Sequence, residues 1–253
     1  MNTPEVKSHS EFSPSSSKRW KTCTASISLS KHAPPLPEMA AGTFGTNTHS
    51  CYEAFLRKPS HPYTVRSFLR KKFPDDMIEM AHQSARVTQA IIAEYPGAAV
   101  LIEEKVDTSH LCEPGNFGSV DCAIIDLFGT LTVIDLKTGV MPVDPVENDQ
   151  LVMYALGIAR AQLYLFEKVR IVILSPRARD TQGLKREWTT TMKHLMTFEK
   201  SYQQAAHDAR HNPKVVPGSH CFFCPSRTHN CPAHLEKKAE KNKDAFEFDE
   251  EFP

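Results

Sequence analysis

The sequence predicts an α/β fold: a mixed central sheet flanked by helices. Three observations carry this. Residues 98–107 (AAVLIEEKVD), 119–127 (SVDCAIIDL) and 130–138 (TLTVIDLKT) are apolar, β-branched runs, the last two joined by a tight link. A fourth such run, 168–175 (KVRIVILS), follows a helical stretch and ends at Pro176. Segments with helical spacing lie on both sides of these strands, so the order is helices, a three-strand meander, helix, strand, helix.

Each element has its own signal. Residues 1–12 are polar and read as disordered. A short helix can begin at Ser13, with Pro14 in its first turn. Residues 45–57 are a helix candidate that sets His49 and Glu53 four apart on one face. Residues 76–95 place Met77, Met80, Ala81, Ala85, Val87 and Ile91 at roughly helical spacing. Phe128-Gly129-Thr130 makes a tight link between two strands. Residues 147–166 return to helical spacing, and 187–209 read as one long polar helix. The expected division is 13–40 as an N-terminal segment, 41–210 as the core, 211–235 as a cysteine-bearing segment and 236–253 as a disordered acidic tail.

The 253 residues suffice for a proper buried core, and 30 basic residues balance 30 acidic ones. Any basic footprint for nucleic acid must therefore be local. No apolar run approaches the ~20 residues of a membrane helix. The first residues hold no apolar leader, and seven cysteines, an odd number, predict a reducing, cytoplasmic setting.

Two patterns carry chemistry. Asp121 opens one strand, and Asp135 and Lys137 lie two apart on the next, so their side chains share a face. An acid beside a lysine at the end of an apolar strand is costly unless it is used. Two carboxylates with a lysine can hold a divalent cation and a water. A structural Asp–Lys pair is the plainer reading of D-x-K alone. The second pattern is SHCFFCPSRTHNCPAH, in which Cys221, Cys224 and Cys231 have a C-x2-C-x6-C spacing. Closed metal or cluster sites usually take four protein ligands, which leaves one to find.

Taken together, Gly45 to His49 (G-T-x-x-H), Gly118 to Asp121 (G-S-V-D), Asp135 to Lys137 (D-L-K) and Gln150 to Ala155 (Q-L-x-x-Y-A) resemble the RecB-type branch of the PD-(D/E)XK nucleases. The likeness is to small phage and prophage members, similar to the AddB nuclease domain and the CRISPR-adaptation exonucleases. It runs from about Ser13 to Ala233. Ser119 and Ser175 are mild departures.

The resemblance implies a restriction-endonuclease-like core and a metal-dependent DNA exonuclease of phage recombination or end processing, in a bacterial or phage-infected cell. By position, His49, Asp121 and Asp135 would bind Mg²⁺ or Mn²⁺, with the Leu136 carbonyl as a further ligand. Lys137 would position the attacking water; Gln150 and Tyr154 would brace the site or contact DNA. Glu53, Glu103 and Glu104 read as solvated positions that could instead support the site. It further implies a 4Fe–4S cluster on Cys23, Cys221, Cys224 and Cys231. Cys51 is the rival fourth ligand, while Cys112 and Cys122 read as buried small hydrophobes. Zinc remains an alternative, with His220, His229 or His234 able to replace Cys23.

The partner expected is DNA, as duplex ends or a single strand. Arg57, Lys58, Arg66, Arg70, Lys71 and Lys72, and then Arg177, Arg179, Lys185 and Arg186, are candidate phosphate contacts. The tail DAFEFDEEFP (244–253) reads as a solubilising end or as a hook for a recombination partner protein.

Overall fold

The computed structural model describes residues 10–34, 40–179 and 183–238. Of the disordered tail expected over 236–253, residues 239–253 lie outside them, and 236–238 are helical, continuing a turn that begins at residue 232. The helices are α1 (Ser17–Thr22), α2 (Ser26–Lys31), α3 (Ala40–Arg57), α4 (Pro62–Leu69), α5 (Asp75–Ala93), α6 (Asp149–Ala161), α7 (Met192–Met196) and α8 (Glu199–His211). The strands are β1 (Ala99–Asp107), β2 (Phe117–Ile125), β3 (Thr130–Leu136), β4 (Lys168–Leu174) and β5 (Lys185–Thr191). They form one sheet in the order β1-β2-β3-β4-β5. Only β3 and β4 run parallel; the other pairs are antiparallel. The parallel pair needs a crossover, and α6 supplies it.

The central strands β3 and β4 are buried on both faces, as their continuous apolar character requires. On one face Leu131, Val133, Val169, Ile171 and Ile173 pack with residues of α1, α6 and α8. On the other, Ile134, Leu136, Val172 and Leu174 pack with α3, α4 and α5. Among the described residues no helix is long and apolar enough to cross a membrane.

Several expectations need correction. The long helix expected over 187–209 is a strand followed by two helices. Trp188 and Thr189–Thr191 are β-formers, and they pair in register with Ile171 to Lys168 on the edge β4 would otherwise expose. The helix expected over 147–166 stops at Ala161, because Leu163 and Tyr164 take left-handed backbone with φ of 54° and 57°. The start expected at Ser13 is a 3₁₀ turn, Pro14–Ser16, leading into α1. Phe12, expected in a disordered leader, is buried against Trp20, their ring centroids 5.3 Å apart. The short helices α2 and α4 carried too little periodicity to be expected.

Candidate metal centre and cysteine pocket

The alternation along β2 changes phase at Asp121. Val120 joins the core on the α6 side, whereas Cys122 and Ile124 face α3 and α5. The β1–β2 register is paired at Ile102–Cys122 and Glu104–Val120 but skips Glu103 and Asp121. Glu103 has φ 48°, a left-handed conformation that costs an L-residue energy and is held only by its surroundings. The β2–β3 ladder ends at Cys122–Ile134. Beyond it the strands part, and the Leu136 backbone N–H donates to Asp121 Oδ2 at 2.7 Å. A carboxylate thus replaces a strand as the acceptor.

Into this opening α3 brings His49. Gly45 lies one turn earlier on the same face, and a Cβ there would sit 3.1 Å from Thr138 Oγ1, so the small residue lets the helix approach the end of β3. His49 Nδ1 is 3.2 Å from Asp121 Oδ1 and 4.0 Å from Glu103 Oε1. The donor atoms of His49, Glu103 and Asp121 all lie within 4.8 Å of one another.

Asp135 and Lys137 adjoin this group. Lys137 Nζ is 2.8 Å from Asp135 Oδ2 and donates to Gln150 Oε1 at 2.7 Å. Gln150 Nε2 donates to Asp135 Oδ1 at 3.0 Å and to the Tyr154 hydroxyl at 3.4 Å. Asp135 Oδ2 is sealed from solvent; the ammonium is its ion-pair partner, but their geometry makes no hydrogen bond. Gln150 and Tyr154 lie one turn apart on α6 and brace the pair. Tyr154 is also core: a Cβ at Gly118 would come within 2.8 Å of its ring and 2.9 Å of Pro14, so only glycine fits there.

The charges are strained. Burial raises the Asp135 carboxyl, with Lys137 opposing and Asp121 adding to the shift. Burial, then the Asp121 charge, push Glu103 up to about 7. Burial would lower His49, but the Asp121 charge and hydrogen bond outweigh it and raise the imidazole to about 9. Three acids share the cleft with one imidazole and one ammonium, and His49 and Lys137 offset their mutual repulsion. Carboxylate oxygens with one imidazole suit a hard divalent ion such as Mg²⁺ or Mn²⁺.

Of the expected metal ligands, His49 and Asp121 are neighbours, whereas Asp135 lies outside their group and faces Lys137 and Gln150. Glu103, expected to be solvated, is instead half-buried beside His49; the left-handed kink on β1 turns it inward, and nothing in E-E-K marks that kink. Glu104 is exposed, as expected. Two basic residues border the site: the Arg177 guanidinium stacks on Phe44 and donates to the Thr138 carbonyl at 3.5 Å, and Arg57 donates to the Ile102 carbonyl, beside Glu103, at 2.8 Å. Arg57, Arg66, Arg70 and Lys185 are held by Glu53, Glu79, Asp75 and Glu187. Arg186 is buried, which removes it from the surface candidates.

The fourth cysteine is Cys23. It ends α1, and it lines one pocket with Cys221, Cys224 and Cys231. The two chain ends are knitted there. Ala25 N–H donates to the Lys214 carbonyl at 3.1 Å, Lys214 N–H to Thr24 Oγ1 at 2.8 Å, and Asn230 Nδ2 to the Leu29 carbonyl at 3.0 Å. Val216 N–H donates to Cys23 Sγ, and Gly218 N–H to Cys221 Sγ, each at 3.4 Å. At Cys23 burial raises the thiol, and the Val216 N–H opposes that rise. Cys51 and Cys122 are buried in the core beneath α3 and α5, and Cys112 packs against the other core; burial pushes Cys51 up to about 11 and the other two up to about 12.

Among the described residues, no three cysteine or histidine donors lie within 4.8 Å of one another.

The fold and site define an α/β protein with an acid–histidine–lysine centre and a four-cysteine pocket. The chain belongs to the family described as protein of unknown function (DUF2800), whose model matches residues 9–252. No curated protein matches it significantly.

Proposed function

We propose that this protein is a Mg²⁺- or Mn²⁺-dependent DNA nuclease of the RecB-type PD-(D/E)XK class, an exonuclease of phage recombination or end processing stabilised by a 4Fe–4S cluster. One observation carries the reading: His49, Glu103, Asp121, Asp135 and Lys137 converge where β2 and β3 part. A binding protein has no need to gather three acids, an imidazole and an ammonium at one strand end.

His49, Glu103, Asp121 and Asp135 would hold the cation, which when bound polarises the phosphodiester and acidifies water. The chain's own groups do the rest. Gln150 fixes the Lys137 ammonium, which orients the attacking water and offsets charge growing on the phosphate. The water oxygen forms the new P–O bond as the bond to the leaving sugar oxygen breaks. The water's proton passes to solvent, and the leaving oxygen takes one up. Arg177 would lie along the approaching backbone.

Cys23, Cys221, Cys224 and Cys231 would hold the cluster. Its role is closure: it joins segments about 200 residues apart in sequence, which removes loop entropy from the unfolded chain. The resemblance to cluster-bearing nucleases, rather than the cysteine spacing, favours it over zinc.

The test is cleavage of end-labelled single- and double-stranded DNA by anaerobically purified protein, with and without Mn²⁺. Activity that needs Mn²⁺ and disappears in Asp135→Ala and Lys137→Ala is expected. An inactive, cluster-loaded wild type on both substrates would instead make this a DNA-binding protein without catalysis.

A further inference from the structure

Arg19 plays no part in the chemistry above, yet it is placed against the cysteines. It lies on α1, one helical turn before Cys23, and lines the pocket with Cys23, Cys221, Cys224 and Cys231. Its Nη1 donates to the Phe223 carbonyl at 3.3 Å. Its Nε is sealed from solvent and has no hydrogen-bond partner among the described residues. Burial lowers the guanidinium's affinity for its proton, and the charges that oppose this are those of Cys224 and Cys23. The pocket's other guanidinium, on Arg227, is differently engaged: it donates to His234 at 3.0 Å and lies over the Phe222 ring.

A guanidinium is always charged, and burying it without an anion is costly. Neutral thiols do not offset that cost. Thiolates around a metal core do, because four of them exceed the positive charge of a 4Fe–4S or zinc core and leave the whole group anionic. An N–H that finds no oxygen acceptor is then free to point at sulfur, as outer partners of metal-bound thiolates commonly do.

We propose that Arg19 is the countercharge of the group bound by the four cysteines and donates a hydrogen bond to its thiolates. This rests on the cluster reading given above. It makes α1 a two-part element: Cys23 ligates at its end, and Arg19 neutralises from the preceding turn.

The test compares full-length wild type, Arg19→Lys and Arg19→Met, purified anaerobically. Iron, zinc and acid-labile sulfide are measured per chain, together with the rate at which a chelator bleaches the protein. Far-UV circular dichroism monitors the fold. Arg19→Met should lose the group about tenfold faster than wild type, the scale of outer-partner effects at metal sites, and Arg19→Lys should fall between them. Retention by a natively folded Arg19→Met at the wild-type rate would overturn the proposal. If Arg19→Met fails to fold, Arg19→Lys decides: loss at the wild-type rate or slower, or loss of the fold as well, refutes a role for charge with guanidinium geometry. A wild type that carries zinc and no iron would sink the cluster reading alone; the Arg19 proposal then stands or falls on whether the variants shed zinc faster. A wild type with no metal overturns both.

Discussion

Lys21 Nζ lies 2.5 Å from Asp149 Oδ1 and ties α1 to the first turn of α6. Tyr202, buried on α8, donates to the same oxygen at 2.9 Å, and the Lys21 ammonium sits 4.7 Å from the Tyr202 ring centroid. The node joins α1, which ends at Cys23, and α8, which precedes the other three cysteines, to the helix that carries Gln150. Asp149 directly precedes Gln150, so the link between the cysteine pocket and the Lys137–Asp135 pair is short.

Breaking that node should loosen the site from a distance. Lys21→Met should lower stability by about 1–3 kcal/mol, the cost of removing a charged partner from a partly buried hydrogen bond. For a chain of this size that is a loss of roughly 2–10 °C in Tm. Lys21→Arg should recover most of it. Thermal denaturation of the three proteins measures this; equal Tm values would make the contact a surface pair of no consequence.

Glu103 should matter as much as the residues of the recognised motifs. Glu103→Gln keeps the shape and removes the charge that faces His49. Titration calorimetry with Mn²⁺ should show affinity reduced by about tenfold or more, if loss of a carboxylate costs at least what loss of an outer partner does. Glu104→Gln, on the exposed side of the same strand, should bind Mn²⁺ like wild type.

Gly118 should resist substitution by even one methyl group. The Cβ of Gly118→Ala would meet Tyr154 at 2.8 Å and Pro14 at 2.9 Å. The clash should cost about 1–3 kcal/mol, the range for overpacking a close contact. Displacing Tyr154 moves its hydroxyl away from Gln150. Urea denaturation should report the loss of stability, and Tyr154→Phe should be much milder.

His110 should contribute acid sensitivity. Its imidazole lies at the turn against α8, where Gln203 Nε2 donates to its carbonyl at 2.9 Å. Burial depresses its pKa below the ordinary 6.5, with Glu199 opposing and Arg160 reinforcing. The unfolded chain therefore takes up a proton first as pH falls. Stability due to neutral His110 is complete above about 6.5 and is lost as pH drops through the lower folded value. Denaturation between pH 7.5 and 5 should show a shallower decline for His110→Gln than for wild type.

Much of the fold was legible because periodicity is a local property. The runs around Ile124, Val133 and Val172 alternate or stay apolar in ways that only strands satisfy, and Met77 to Ile91 do so as only a helix does. The fifth strand was illegible for the opposite reason. Arg186 to Thr191 are polar enough to pass for a helix face, and what makes them a strand is the free edge of β4.

The site divides along the same line. Residue type and spacing alone determined that Asp135 and Lys137 share a face, that Gln150 and Tyr154 lie one helical turn apart, and that three cysteines cluster near the C-terminus. Those relations span a few residues and follow from strand and helix geometry. The tertiary structure alone decided that Glu103 turns inward beside His49, that Asp121 accepts from the Leu136 backbone, and that Cys23 rather than Cys51 meets the other three cysteines. Each depends on register and packing between segments distant in the chain, and local spacing does not encode those.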